Sequence, residues 1–109
     1  MVLIGSRLIL CALGAMLCGV SPAAASDAAK GKELFEEQCS VCHEVTNTDK
    51  KLGPGLKGLF KRDKMANGKK PTVENVTKVI QEGGNGMPAY AEILSKEELE
   101  HVLAYLKTL

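Results

Sequence analysis

Two cysteines three residues apart with a histidine directly behind them, Cys39-Ser40-Val41-Cys42-His43, constrain this chain more than any other stretch. A fold that uses them together must bring both thiols and the imidazole to one turn. This is the attachment pattern of a c-type haem. Each thiol adds to one haem vinyl group and becomes a thioether. Their separation is about one helical turn, and His43 then comes to lie beneath the iron, where a ring nitrogen serves as an axial ligand.

Two other chemistries use such cysteines. A structural zinc needs four ligands, and outside the motif and the leader described next only His101 remains among His and Cys. A thioredoxin-like pair sits in a strand–helix setting, whereas a helical pattern precedes this motif.

The first 25 residues read as a secretory signal peptide. Arg7 supplies a positive start, Leu8 to Val20 an apolar run, and Ala23-Ala24-Ala25 a small-residue cleavage site, so the mature chain is expected to begin at Ser26. The run is shorter than the ~20 apolar residues of a membrane span. An uncleaved anchor and lipid attachment at Cys18 are rival readings, the latter opposed by bulky Met16 and Leu17. Cleavage removes Cys11 and Cys18 and leaves only the motif's two cysteines. Export also fits haem attachment, which takes place outside the cytoplasm.

Removing 25 residues from 109 leaves 84, a single domain over 26–109. At that size a protein core is marginal unless something adds to it. Phe35, Phe60, Tyr90 and Tyr105 are the only aromatic residues and there is no Trp, so a buried haem would supply missing apolar bulk. Charge is balanced overall but not along the chain. Residues 45–80 carry eight Lys and Arg62 against three acids, while residues 26–44 and 81–109 each carry two Lys against five acids. The basic middle is either a solvated loop face or a surface that steers the protein toward an acidic partner.

Helical spacing over 27–38 places Ala28, Gly31, Leu34 and Phe35 on one face, with Ser26 or Asp27 as N-cap. Gly31 costs a helix about 1 kcal/mol relative to Ala, which a close crossing by another helix would explain. Residues 44–71 are punctuated by Gly, Pro and Asn and read as irregular. So long a loop needs something to pack on, and Leu52, Leu56, Leu59 and Phe60 give it an apolar side. Val73, Val76, Val79 and Ile80 mark a short helix over 73–82, capped by Thr72 and ended by Gly83-Gly84. Ser95 and Glu98 form a capping box, with Leu94 and Leu99 as hydrophobic staple. The helix that follows carries Leu99, Val102, Leu103 and Leu106 as its stripe, Tyr105 on the flank, and His101 opposite as a solvated side chain. No strand alternation occurs, so the class is all-α.

For a second axial ligand the mature chain offers Met65 and Met87. Methionine in a small protein is usually core filler. Met87 sits in Gly-rich Asn85-Gly86-Met87-Pro88, where a packing Met has little to pack against, and it is the candidate. Met65 reads as a surface or loop residue.

With these residues in hand, Ser26 to Leu109 resembles the class I c-type cytochromes, small monohaem electron carriers, in their bacterial and photosynthetic branch. Gly31 and Phe35 resemble the family's first-helix pair, which packs on an aromatic near the end of the last helix, here Tyr105. Met87-Pro88-Ala89-Tyr90 resembles its sixth-ligand loop. The resemblance implies a cytochrome c fold of about three helices with long loops around one haem c attached through Cys39 and Cys42. It implies iron ligation by His43 and Met87, with the Pro54 carbonyl of Gly53-Pro54-Gly55-Leu56 orienting His43. Leu56 and Leu59 would then touch the porphyrin and Arg62 approach a propionate. The chain departs from the family in having no Trp on the propionate side and a short, charged 61–71 segment.

The expected function is single-electron shuttling between redox proteins, met transiently, in the periplasm or another exported compartment such as the thylakoid lumen. The expected protein is a monomer and not an enzyme, with no nucleic-acid partner and no membrane insertion after cleavage. An electron-entry subunit of a membrane oxidoreductase complex is the alternative. A haem enzyme or gas-binding protein with a labile sixth ligand is a further one.

Overall fold

The computed structural model describes residues 26–109, so the leader expected over 1–25 lies outside the described residues. Three helices follow one another: α1 over Ala28–Gln38, α2 over Val73–Glu82 and α3 over Lys96–Leu106. A short 3-10 turn, Leu59–Lys61, interrupts the long loop between α1 and α2. The described residues contain no β-strand, only an isolated bridge between Gly84 and Met87.

Local chemistry sets each helix start. The Asp27 carboxylate accepts from the backbone N–H groups of Ala29 and Lys30, two of the donors a helix N-terminus leaves unpaired. Thr72 Oγ1 accepts from Asn75 N–H at 3.1 Å. At α3 the expected box is present in both directions: Glu98 N–H donates to Ser95 Oγ, and Ser95 N–H donates to the Glu98 carboxylate at 2.9 Å. Leu94 and Leu99, the staple, are both buried.

The core lies where α1 crosses α3. Phe35, Leu59, Val76, Leu94, Leu99, Val102, Leu103 and Leu106 form one buried cluster. Gly31 makes the crossing possible. A Cβ there would run into the His101 carbonyl and lie 2.9 Å from Tyr105 Cβ. One turn on, the Phe35 and Tyr105 rings meet with centroids 5.5 Å apart at 60°, a favourable tilted geometry. The glycine's helical cost is thus offset by packing.

The same crossing corrects the reading of His101. It is 6% exposed rather than solvated. Its Nδ1 accepts the Asp27 backbone N–H at 2.8 Å, which ties the start of α1 to the middle of α3. The tautomer therefore carries its proton on Nε2, 3.8 Å from Glu97 Oε1. The face of α3 that looked outward on the apolar count is the one that α1 covers.

Three apolar residues lie outside the buried cluster. Leu52 is 71% exposed, in a bend where Lys51 N–H reaches the Gly53 carbonyl. Val73, in the first residue of α2, is 44% exposed and only borders a shallow groove beside Leu103 and Ala104. Met65 lies in the loop, as expected, but half-buried against the core.

Candidate haem site

The cysteine motif is a single turn continuing from α1. Cys39 N–H bonds to the Phe35 carbonyl at 2.8 Å, and the N–H groups of Cys42 and His43 both reach the Cys39 carbonyl at 3.1 Å. Ser40 Oγ caps the Glu36 carbonyl at 2.6 Å. Both thiols are half-buried and unpaired. Burial, and then the neighbouring Cys42, push the Cys39 thiol up to about 11. It therefore stays protonated near neutrality, which slows attack by it on other sulfurs. Burial first, then Cys39 and Cys42, raise the Tyr90 phenol. Once the sulfurs are thioethers they no longer titrate, and only the burial contribution to Tyr90 remains.

The loop after the motif doubles back onto it. Gly53 N–H donates to the Cys42 carbonyl at 2.8 Å and Leu56 N–H to the Glu44 carbonyl at 2.7 Å. These bonds put Pro54 beside His43, whose Nδ1–H donates to the Pro54 carbonyl at 2.8 Å. With Nδ1 committed, Nε2 keeps its lone pair for a metal. Gly53 is the floor under the ring: a Cβ there would lie 2.6 Å from His43 Cε1 and 2.9 Å from Nδ1. Sequence reasoning passed over this glycine, although its place directly before Pro54 was a usable signal.

Arg62 braces the same loop. Its Nη2 donates to the Gly55 carbonyl at 2.8 Å and to the Lys57 carbonyl at 2.6 Å, and Nε reaches the latter at 3.2 Å. Leu59 is buried in the core and Leu56 packs against it.

Met87 sits on a tight hairpin. Gly84 N–H donates to the Met87 carbonyl at 2.9 Å, and Met87 N–H to the Gly84 carbonyl at 3.0 Å. Between them Asn85 and Gly86 have φ of 52° and 90°, the left-handed pair that Asn-Gly adopts most readily in a type I′ turn. Gly83, at φ 64°, has no room for a Cβ against the Met87 and Pro88 backbone. Met87 is half-buried yet does not pack on the core. The loop is held further along, where Tyr90 N–H bonds to the Ile80 carbonyl at 2.9 Å and the Tyr90 hydroxyl donates to the Gln38 carbonyl at 2.8 Å. The structure thus joins His43 directly to Pro54 and Gly53, and ties the Met87 loop to the residue before Cys39.

These residues fit a covalently bound haem: two unpaired thiols on one turn and an imidazole with its distal nitrogen available. Zinc finds no comparable set, since among the described residues no three His, Cys, Asp or Glu side chains converge.

Comparison with known proteins agrees. Residues 26–106 match the family model described as cytochrome c oxidase, cbb3-type, subunit III. Cytochrome c6 of Rippkaea orientalis is 38% identical over 85 residues, 78% of this chain and 73% of that one. Cytochrome c2 of Blastochloris viridis is 48% identical over 48 residues, 43% and 37% of the two chains. The solved cytochrome c6 of the diatom Phaeodactylum tricornutum superposes with a TM-score of 0.58 at 27% identity, over 75% of this chain and 92% of its own. The expected family and cofactor therefore hold, and the chain belongs to the class I c-type cytochromes, monohaem electron carriers with one covalently bound haem c.

Proposed function

We propose that this protein is an exported, freely diffusing carrier, in the periplasm or the thylakoid lumen, whose haem is held by Cys39 and Cys42 and ligated by His43 and Met87. The haem supplies reversible one-electron Fe(II)/Fe(III) chemistry. The chain's residues define how it is used. Pro54 holds the His43 tautomer and orientation. Met87 presents a soft thioether, which favours the reduced state and raises the potential. With both axial positions filled no substrate site remains, so the protein transfers electrons and catalyses no reaction of its own. Arg62, already bonded to the Gly55 and Lys57 carbonyls, would stand near a propionate, with Leu56 and Leu59 against the ring.

The observation that carries this reading is the contrast between the two methionines. Met65 packs on the core, whereas Met87 is held half-buried on a hairpin closed by backbone bonds, with no core contact. The likeness to cytochromes c6 and c2 supports a carrier rather than a fixed subunit. Carbon monoxide provides the test. The reduced protein at neutral pH is expected to bind none on mixing. Rapid, complete binding would leave the sixth position open and favour a gas-binding or enzymatic role.

Its partners are redox proteins met through small, transient contacts. Among the described residues none of Lys57, Lys61, Arg62, Lys64, Lys69 and Lys70 belongs to an ion pair. Uncompensated charge of one sign steers encounter with an acidic surface. Electron transfer to the partner is therefore expected to slow about tenfold from low to high ionic strength, as steered association does. Stopped-flow rates that ignore salt would make these lysines a solvated face only.

A further inference from the structure

The Tyr90 hydroxyl makes a bond that local sequence logic does not require. It spans 52 positions to reach the Gln38 carbonyl. Gln38 is the last residue of α1, so its carbonyl is one of those that a helix C-terminus leaves without an intrahelical donor. Gln38 also directly precedes Cys39, the first haem anchor, and Tyr90 follows Met87 by three residues. One hydrogen bond therefore joins the segment that carries the Met87 thioether to the segment that carries the thioethers of the haem.

The neighbourhood makes this bond consequential. Upstream of Met87 the backbone runs through Gly83, Gly84, Asn85 and Gly86, all at positive φ. Three glycines in four residues give that side little stiffness of its own. Met87 adds no core contact to hold it. Downstream, Pro88 is rigid, and the segment is pinned to α2 through Tyr90 N–H to Ile80 and Ala91 N–H to Gln81 at 3.3 Å. Those backbone bonds tie the loop to α2, whereas the Tyr90 hydroxyl ties it to α1 and the haem-bearing turn.

We propose that Tyr90 is a positioning residue for Met87: its hydroxyl latches the Met87 loop to the end of α1 and so restrains the thioether from leaving the iron. The latch rests on Met87 being the sixth ligand. Without it the loop opens more often on its glycine side, while α1, α3 and their crossing keep their own bonds.

The test is Tyr90→Phe in the oxidised holoprotein, with Tyr105→Phe as control, since no hydrogen bond from the Tyr105 hydroxyl is part of this connection. Free imidazole serves as the entering ligand, and loss of the Met–iron(III) charge-transfer band reports its entry. Entry at saturating imidazole is limited by loop opening. Tyr90→Phe is expected to accelerate it roughly fivefold, the worth of one neutral hydrogen bond. Tyr105→Phe is expected to leave it unchanged. Hydrogen exchange gives the second measurement: the N–H groups of Gly84 and Met87 lose protection in Tyr90→Phe, and those of α3 do not. An imidazole rate within twofold of the parent overturns the latch. So does equal loosening of α3, which would make Tyr90 a general structural residue. A parent protein that lacks the charge-transfer band overturns the Met87 assignment and the latch with it, and is told apart because the failure appears before any substitution.

Discussion

Gly31→Ala is expected to destabilise the holoprotein by about 3 kcal/mol or more, opposite in sign to the same change at an ordinary helical site. In an exposed helix interior alanine is favoured over glycine by about 1 kcal/mol. Here the new methyl has no space: it would meet the His101 carbonyl, and it would lie 2.9 Å from Tyr105 Cβ. A carbonyl in the middle of α3 cannot swing aside as a side-chain tip can, so α1 and α3 must separate. Overpacking alone costs about 1–3 kcal/mol. Separation also weakens the Phe35–Tyr105 pair, worth about 0.5–1.5 kcal/mol, and the bond from Asp27 N–H to His101, worth about 1 kcal/mol. The total is a large fraction of the ~5–15 kcal/mol that holds a small domain. Guanidinium unfolding followed by far-UV circular dichroism measures it. A gain in stability would show that the helices do not cross at Gly31 as described.

What was legible in the sequence was the part written in local chemistry. The Ser95–Glu98 box, the Thr72 cap and the glycines after α2 act over a few residues, and α2 begins and ends, and α3 begins, where those residues put them. Gly31 was legible as a cost that needed a reason, and Tyr105 supplied it. His101 was not legible, because a helix covered on two faces shows only its richer apolar stripe in the pattern. The second face is covered by α1 across 74 positions. The Tyr90–Gln38 bond belongs to the same class of long-range pairing. At the site, the proposed donors stood out locally, the two cysteines and His43 by spacing and Met87 by its Gly-rich loop. How closely Gly53 lies under His43 appears only once the chain is folded, whereas the positive-φ pair before Met87 was signalled locally by Asn85-Gly86.

Replacing Met87 by alanine is the change with the largest expected functional effect. The thioether stabilises Fe(II) over Fe(III), and exchanging axial ligands moves haem potentials over ~0.8 V across proteins, so losing this one is expected to lower the potential by on the order of 0.1 V or more. Three observables should change together in Met87→Ala: the Met–iron(III) charge-transfer band disappears, the potential falls, and the reduced protein binds carbon monoxide. Met65→Leu should change none of them, since Met65 packs on the core and a volume-conserving swap there costs less than about 1.5 kcal/mol of stability. The pair of variants separates ligand loss from damage to the fold. Met87 makes no core contact and its hairpin is closed by backbone bonds. Any loss of stability in Met87→Ala should therefore come from the missing sulfur–iron bond. Voltammetry with optical spectra of both variants decides the matter: an unchanged band in Met87→Ala would move the sixth ligand elsewhere, and a lost band in Met65→Leu would move it to the α1–α2 loop.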